Sequence, residues 1–140
     1  MNDTTEGRES HRFASQVAGG GSEEHTHKMQ EDATVEQVTV RFYPGPRRDL
    51  HITPFVERES TRRKDRQDLV ELHGKDYIDG DNDLWVFDVS HEVEKGDTIG
   101  VHADNVEPDH DYDFICDVAV DYAGGTSRFG GLLDRLRGLI

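Results

Sequence analysis

The sequence predicts an all-β fold, an antiparallel β-sandwich over residues 35–127 of a chain of 140. Three observations carry that expectation. From Val35 onward apolar residues recur with a period of two, the period of a strand that buries one face. Turn residues break the pattern about every 8 to 14 residues, the spacing of short strands in an all-β domain. No helical period separates the strands, so the crossover helices that a parallel sheet needs are missing.

Residues 1–34 are polar, carry Gly19 to Gly21 in their middle and lack apolar periodicity, so they predict a flexible N-terminal arm, extended or disordered. The first strand starts at Val35, with Val38, Val40 and Phe42 on one face, Thr39, Arg41 and Tyr43 on the other, and Pro44-Gly45-Pro46 as its stop. Leu50 to Val56 forms a second extended run, whose Pro54 argues for an edge or a bulge. Residues 57–68 hold no apolar side chain and predict a solvated loop or a short exposed helix. Further strands are expected at Leu69 to Leu72, Leu84 to Val89, Thr98 to Ala103 and Tyr112 to Tyr122. In the last of these Phe114, Cys116, Val118, Val120 and Tyr122 share a core face, while Asp113, Ile115, Asp117, Ala119 and Asp121 face water. Gly124-Gly125 ends it, and residues 128–140 cluster Leu132, Leu133, Leu136, Leu139 and Ile140 as a short amphipathic helix.

Acidic residues outnumber basic ones 30 to 16, for a net charge of -14 and a pI near 4.8. The apolar alternation rules out reading that charge as disorder. Lysine is confined to Lys28, Lys64, Lys75 and Lys95, and aspartate crowds the solvent faces, as in proteins from extreme halophiles. In molar salt the Debye length falls to about 3 Å, which screens the self-repulsion of such a chain. The single cysteine, Cys116, excludes an internal disulfide and a cysteine-based zinc site. No apolar run approaches the roughly 18 residues of a membrane span. The opening MNDTTEGRES has neither the basic nor the apolar region of a secretion signal, so no export by such a signal is expected.

Asp79-Gly80-Asp81-Asn82-Asp83 sets three carboxylates at alternate positions, as a calcium loop does. Counted from Asp79, however, the sixth position is Leu84 and the twelfth Ser90, where an EF-hand needs Gly and Glu. The stretch therefore reads as a hairpin turn between Tyr77-Ile78 and Leu84 to Phe87. An adventitious calcium or magnesium contact at Asp79, Asp81 and Asp83 is the competing reading, and no cofactor is otherwise expected. His25-Thr26-His27 lies in the arm with no third ligand in view, and His51, His73, His91, His102 and His110 are scattered. No His or Met follows Cys116, which removes a blue-copper site. No G-x-S-x-G elbow frames Ser60, Ser90 or Ser127, and carboxylates are too common for any pair to stand out, so no catalytic residue is named and no enzyme is expected.

Charge is unevenly spread. Arg41, Arg47, Arg48, Arg58, Arg62, Arg63, Lys64 and Arg66 fall within one fifth of the chain, whereas residues 67–127 hold only Lys75 and Lys95 against seventeen acids. Arg47, Arg48, Arg58, Arg62, Arg63 and Arg66, with Leu132, Leu136 and Leu139, are thus the candidate interaction residues. No aromatic side chain interleaves Arg58 to Arg66, which argues against a stacking surface for nucleic acid, and no specific nucleic acid partner is expected.

Over Tyr43 to Tyr122 the stretches "FYPG", "LHITPFV", "DLWVFDVSHEVEKGDTIGVHADN" and "YDFICDVAVDY" follow one another in an order that resembles the single jelly-roll coat proteins of icosahedral, internal-membrane viruses of halophilic archaea. Gly96-Asp97 sets the turn into one of the strands. The resemblance implies a jelly-roll-like sandwich of eight strands, of which six are legible; Lys75 to Ile78 and part of the arm are candidates for the others. A seven-stranded immunoglobulin-like sandwich competes with it. The function implied is that of a minor coat protein, such as the vertex (penton) subunit. It would reside in the virion, or else in the haloarchaeal cytoplasm, as a homo-oligomer, a pentamer for a penton. Its partners would be other virion proteins, including membrane-associated ones. Two alternatives are a ligand- or carbohydrate-binding module of a haloarchaeon, with Asp79 to Asp83 or His102 to His110 lining its site, and a tail or neck component of a tailed haloarchaeal virus.

Overall fold

In the computed structural model, which describes residues 7–59, 65–72 and 74–122, the chain builds eight strands. They are β1 (Gly7–Val17), β2 (Ser22–Lys28), β3 (Ala33–Phe42), β4 (Leu50–Arg58), β5 (Asp65–Asp68), β6 (Leu84–Val93), β7 (Thr98–Asn105) and β8 (Tyr112–Tyr122). They form two four-stranded sheets, ordered β1-β8-β3-β6 and β2-β7-β4-β5, with every pairing antiparallel. The pairs β1·β8, β2·β7, β3·β6 and β4·β5 are the rungs of one long antiparallel ribbon. Rolled up, that ribbon closes through β3·β8 and β4·β7. This is the jelly-roll order. Only the β4–β5 connection stays within a sheet, which excludes the hairpin-rich immunoglobulin arrangement.

The strand alternation expected of the last segment is realised. Phe114, Cys116, Val118 and Val120 are buried between the sheets, Tyr122 is half-buried, and Asp113, Asp117 and Asp121 lie on the other face. Val35, Val38, Val40 and Phe42 of β3 join them from the same sheet, and Leu50, Ile52, Val56, Ile99, Val101 and Ala103 face them from the other. Gly96, with φ at +97°, makes the turn before β7, and Asp97 beside it accepts a hydrogen bond from the Glu94 amide at 2.9 Å. A β-carbon at Gly100 would lie 2.7 Å from the His25 carbonyl oxygen and 2.7 Å from the Phe55 ring, so only glycine lets β2 and Phe55 approach there.

Four expectations are corrected. Residues 7–28 are not an arm but two strands: β1 pairs with β8 from Gly7 to Val17, and β2 pairs with β7 from Ser22 to Lys28. Their period of two was hidden because the inward positions Glu9, His11, Ser15, Glu23, His25 and His27 are polar, with only Phe13 and Val17 buried and apolar. The glycines between them make the turn, with Gly20 at φ +71° and the Gly21 amide bonded to the Ala18 carbonyl at 2.8 Å. Pro54 marks neither an edge nor a bulge, because β4 is an inner strand. The Pro54 carbonyl accepts from Leu69 one step beyond the last β5 pair, so its missing donor faces a side where the ladder has ended. The strand expected at Leu69 to Leu72 lies earlier, at β5, and Leu69 instead bends into the core. Lys75 to Ile78 makes only single bridges, Leu72 with Lys75 and Ile52 with Ile78. The helix expected at 128–140 lies outside the described residues, as do Ser60, His73 and Ser127.

Two outcomes follow. By circular dichroism the whole chain is expected to unfold in one cooperative transition, and a chain beginning at Ala33, which lacks β1 and β2 and leaves the β8 and β7 ladders open, is expected to lose it. Phe42→Ala removes one of the largest fully buried side chains and should lower unfolding stability by about 3–5 kcal/mol in denaturant titrations.

Candidate functional site

The most unusual surface follows from the place of β6 at the end of its sheet, where it pairs with β3 alone. The pairs Val40–Trp85 and Val38–Phe87 put Trp85 and Phe87 on the inner face, and Arg41–Leu84 and Thr39–Val86 put Leu84 and Val86 on the outer one. In the opposite sheet β5 has only four residues, and it lies across from the far half of β6: Arg66 to Leu69 and Val89 to His91 line one cleft. The near half is left open. Leu84 is 57% exposed, Trp85 44% and Val86 53%. The Trp85 and Phe87 rings stack at 6.3 Å. Beside Trp85 a shallow cleft of about 270 Å³ is lined by Arg47, Arg48, Asp79, Asp81 and Asp83.

That carboxylate stretch is a turn, but not the hairpin expected. Ile78 bonds to Ile52 of β4, so the segment carries the chain from one sheet to the other. The Asp83 carbonyl accepts from Phe42 at 2.8 Å and the Asn82 amide donates to Tyr43 at 3.2 Å, with Asn82 at φ +54°. Each carboxylate has a separate partner. Asp79 pairs with Lys75 at 3.1 Å, Asp81 accepts from the Gly45 amide at 2.6 Å, and Asp83 accepts from the Asp81 amide at 2.8 Å. Among the described residues no group of three or more His, Cys, Asp or Glu is arranged to hold a metal ion.

The structure divides the arginines. Arg47 and Arg48 are exposed, ahead of β4 and next to Trp85. At the other end of β4, Arg58 donates to Asp97 at 2.9 Å and lies 3.2 Å from His91. Arg66 pairs with Glu24 at 2.7 Å and Glu57 at 2.8 Å, and covers the Phe55 ring with its guanidinium 3.8 Å from the centroid. Arg62, Arg63, Leu132, Leu136 and Leu139 lie outside the described residues. Leu84, Trp85 and Val86 are not singled out by the sequence, because four apolar residues in a row carry no alternation that marks one face as outward.

Three polar clusters have other consequences. Buried Asp97 accepts from the Glu59 amide at 3.0 Å as well as from Glu94 and Arg58. Burial alone would raise its pKa, but those donors outweigh it and hold the carboxyl below its ordinary value. The His11 ring stacks on His27 at 4.2 Å, so His27 has an imidazole neighbour from β1. Burial, then the neighbouring His27, lowers the His11 pKa against the opposing pull of Glu9; burial and Arg58 lower that of His91 against Asp97. Ser15 donates to Glu23 at 2.6 Å, and His25 bonds to the same carboxylate oxygen at 2.9 Å. The carboxylate thus stands between hydroxyl and imidazole, whereas an activated nucleophile needs the imidazole between the other two. The Cys116 thiol is pushed up to about 12 by burial and is correspondingly inert. His102 and His110 are bound separately, to Glu24 at 3.3 Å and Glu107 at 2.7 Å.

No protein-family model matches the chain, and no curated protein matches it. Among solved structures it is similar to infectious bursal disease virus, Gt strain, at a TM-score of 0.47 and 6% identity over 84% of this chain. The Gx strain gives 0.43 and 8% over 85%. PliG of Aeromonas hydrophila, a periplasmic lysozyme inhibitor of g-type lysozyme, gives 0.39 and 11% over 80% of this chain and 86% of its own. The chain spans 31% and 33% of the two viral chains. Likenesses at these scores bear on neither descent nor activity.

Two measurements test the electrostatics. His11 and His91 have depressed folded pKa values, so the unfolded chain takes up protons first. Stability should therefore be full above the ordinary histidine value of 6.5 and decline as pH falls below it. Denaturant titrations from pH 8 to 5 should show that decline, and the paired variant His11→Gln, His91→Gln should flatten it. Asp97→Ala leaves two amides and Arg58 without their acceptor and should cost on the order of 3 kcal/mol by the same method.

Proposed function

We propose that this chain is a structural virion protein, a minor capsid subunit that works by assembling with copies of itself and with other virion proteins. One observation carries the reading: a complete jelly roll whose least protected feature is an exposed apolar edge strand. A binding or catalytic site would instead bring convergent polar groups to a pocket. The cleft beside Trp85 is shallow, and its carboxylates have partners of their own. The acidic surface supports a setting of molar salt, and with the sequence resemblance it supports a virus of halophilic archaea as the source. A single jelly roll suits a vertex subunit better than a shell subunit built of two.

A second reading, a carbohydrate-binding module, has one observation in its favour: the half-exposed indole of Trp85 beside Arg47, Arg48 and Asp83. Light scattering in molar salt separates the two. Assembly predicts a closed oligomer, of five copies for a vertex subunit. A monomer whose melting temperature rises with a saccharide would overturn assembly in favour of binding. Salt supplies a further test. Raising potassium chloride from dilute to molar shortens the Debye length from about 10 to about 3 Å and should raise the melting temperature markedly. An unchanged melting temperature would contradict the halophilic setting.

A further inference from the structure

We infer that the Leu84–Phe87 half of β6 is the edge to which a second copy of this chain adds, antiparallel and across a two-fold axis, to make one continuous sheet of eight strands. The inference rests on the assembly reading and names the surface of one pairwise contact in it; a two-fold contact closes at two copies, so a five-fold ring needs a second, head-to-side contact elsewhere on the chain.

Three features of the edge point to this occupant. First, the other sheet edges are guarded. The edge strand β5 is charged or polar throughout, β2 carries Glu23, Glu24 and Lys28, and β1 carries Arg8, Glu9 and Arg12. Such charges deter pairing between edges. The far half of β6 is guarded too, by Asp88 and Glu92 and by a slip in its pairing opposite Val35 and Gln37. Leu84 to Phe87 has no charge, proline, lysine or slip, and its pairing with β3 is regular. Among the described residues it is the only strand edge with a run of exposed large apolar side chains.

Second, the run is complementary to itself. A two-fold axis at Trp85 sets Leu84 against Val86 of the other copy on the outer face, and Trp85 against its own counterpart on the inner face. Opposed residues on an antiparallel pair share a face, and these pairs obey that rule. Third, charge selects the register. Each copy carries a net charge of -14, so contact is tolerable only where carboxylates do not meet. With the axis at Trp85, Asp83 falls opposite Phe87 and Asp88 opposite Asn82, and no carboxylate faces another.

Trp85 is the only tryptophan, so the emission reports on the surroundings of this edge and of no other part of the chain. The experiment follows Trp85 emission and acrylamide quenching, alongside mass by light scattering, over a concentration series of the full chain in molar salt. A blue shift and reduced quenching that rise together with mass are expected. Val86→Lys is on the outer face and half exposed, so the fold should survive by circular dichroism, while the dissociation constant of the pair rises about tenfold or more. Trp85→Cys should give a covalent dimer on oxidation, since the native Cys116 is buried. Mass that rises while Trp85 emission stays constant overturns the β6 assignment and leaves assembly standing. A monomer in which Trp85 resists quenching at every dilution means that the chain covers its own edge, which overturns the second copy as occupant. A monomer with Trp85 freely quenched at every concentration overturns both the contact and self-assembly.

Discussion

The structure depends on four inner strands that are apolar enough to order four outer ones. β8 and β3 in one sheet, and β7 and β4 in the other, supply most of the buried side chains. The outer strands β1, β2 and β5 contribute few. They are held chiefly by ladder hydrogen bonds to the inner strands, and each would leave buried backbone groups without partners if it detached. Polar sequence can therefore be ordered structure here, and the residues that look least like a core complete the sheets.

That dependence explains how much could be read in advance. The alternation of β8 from Phe114 to Val120 and of β3 from Val38 to Phe42 is local, and it predicted both strands and their core faces. For β1 and β2 the same alternation exists but is written in Glu, His and Ser, so a hydrophobic pattern could not show it. Pro54 misled for a similar reason, because whether a missing amide matters depends on where β5 stops. At β6 the failure ran the other way. The run from Leu84 to Phe87 carries no alternation to mark an outward face, and only the sheet order shows that it lies at an edge opposite a strand too short to cover it. Of the candidate interaction residues, Arg58 and Arg66 turned out to be engaged within the chain, which sequence spacing could not reveal. Arg47 and Arg48 are exposed beside Trp85 and form no ion pair with a described residue.

The distribution of charge and of apolar surface then acquires a common logic. A chain with 30 acidic residues resists nonspecific association and, in dilute salt, its own compaction. Such a surface makes an uncharged strip conspicuous, because two copies paired across it approach without repulsion. Guarding three edges and half of a fourth directs association to that strip. Hydrophobic contact between the copies strengthens in concentrated salting-out salts while repulsion fades, so both effects act in the same direction.

The most direct test is hydrogen exchange at individual amides of β6, measured in molar salt at concentrations where the chain is assembled and where it is dispersed. The account predicts that alternate amides within Leu84 to Phe87, those that point away from β3, become protected on assembly while the amides of the guarded edges β2 and β5 do not change. Equal exchange at these amides in both states, with assembly confirmed by mass, would contradict it.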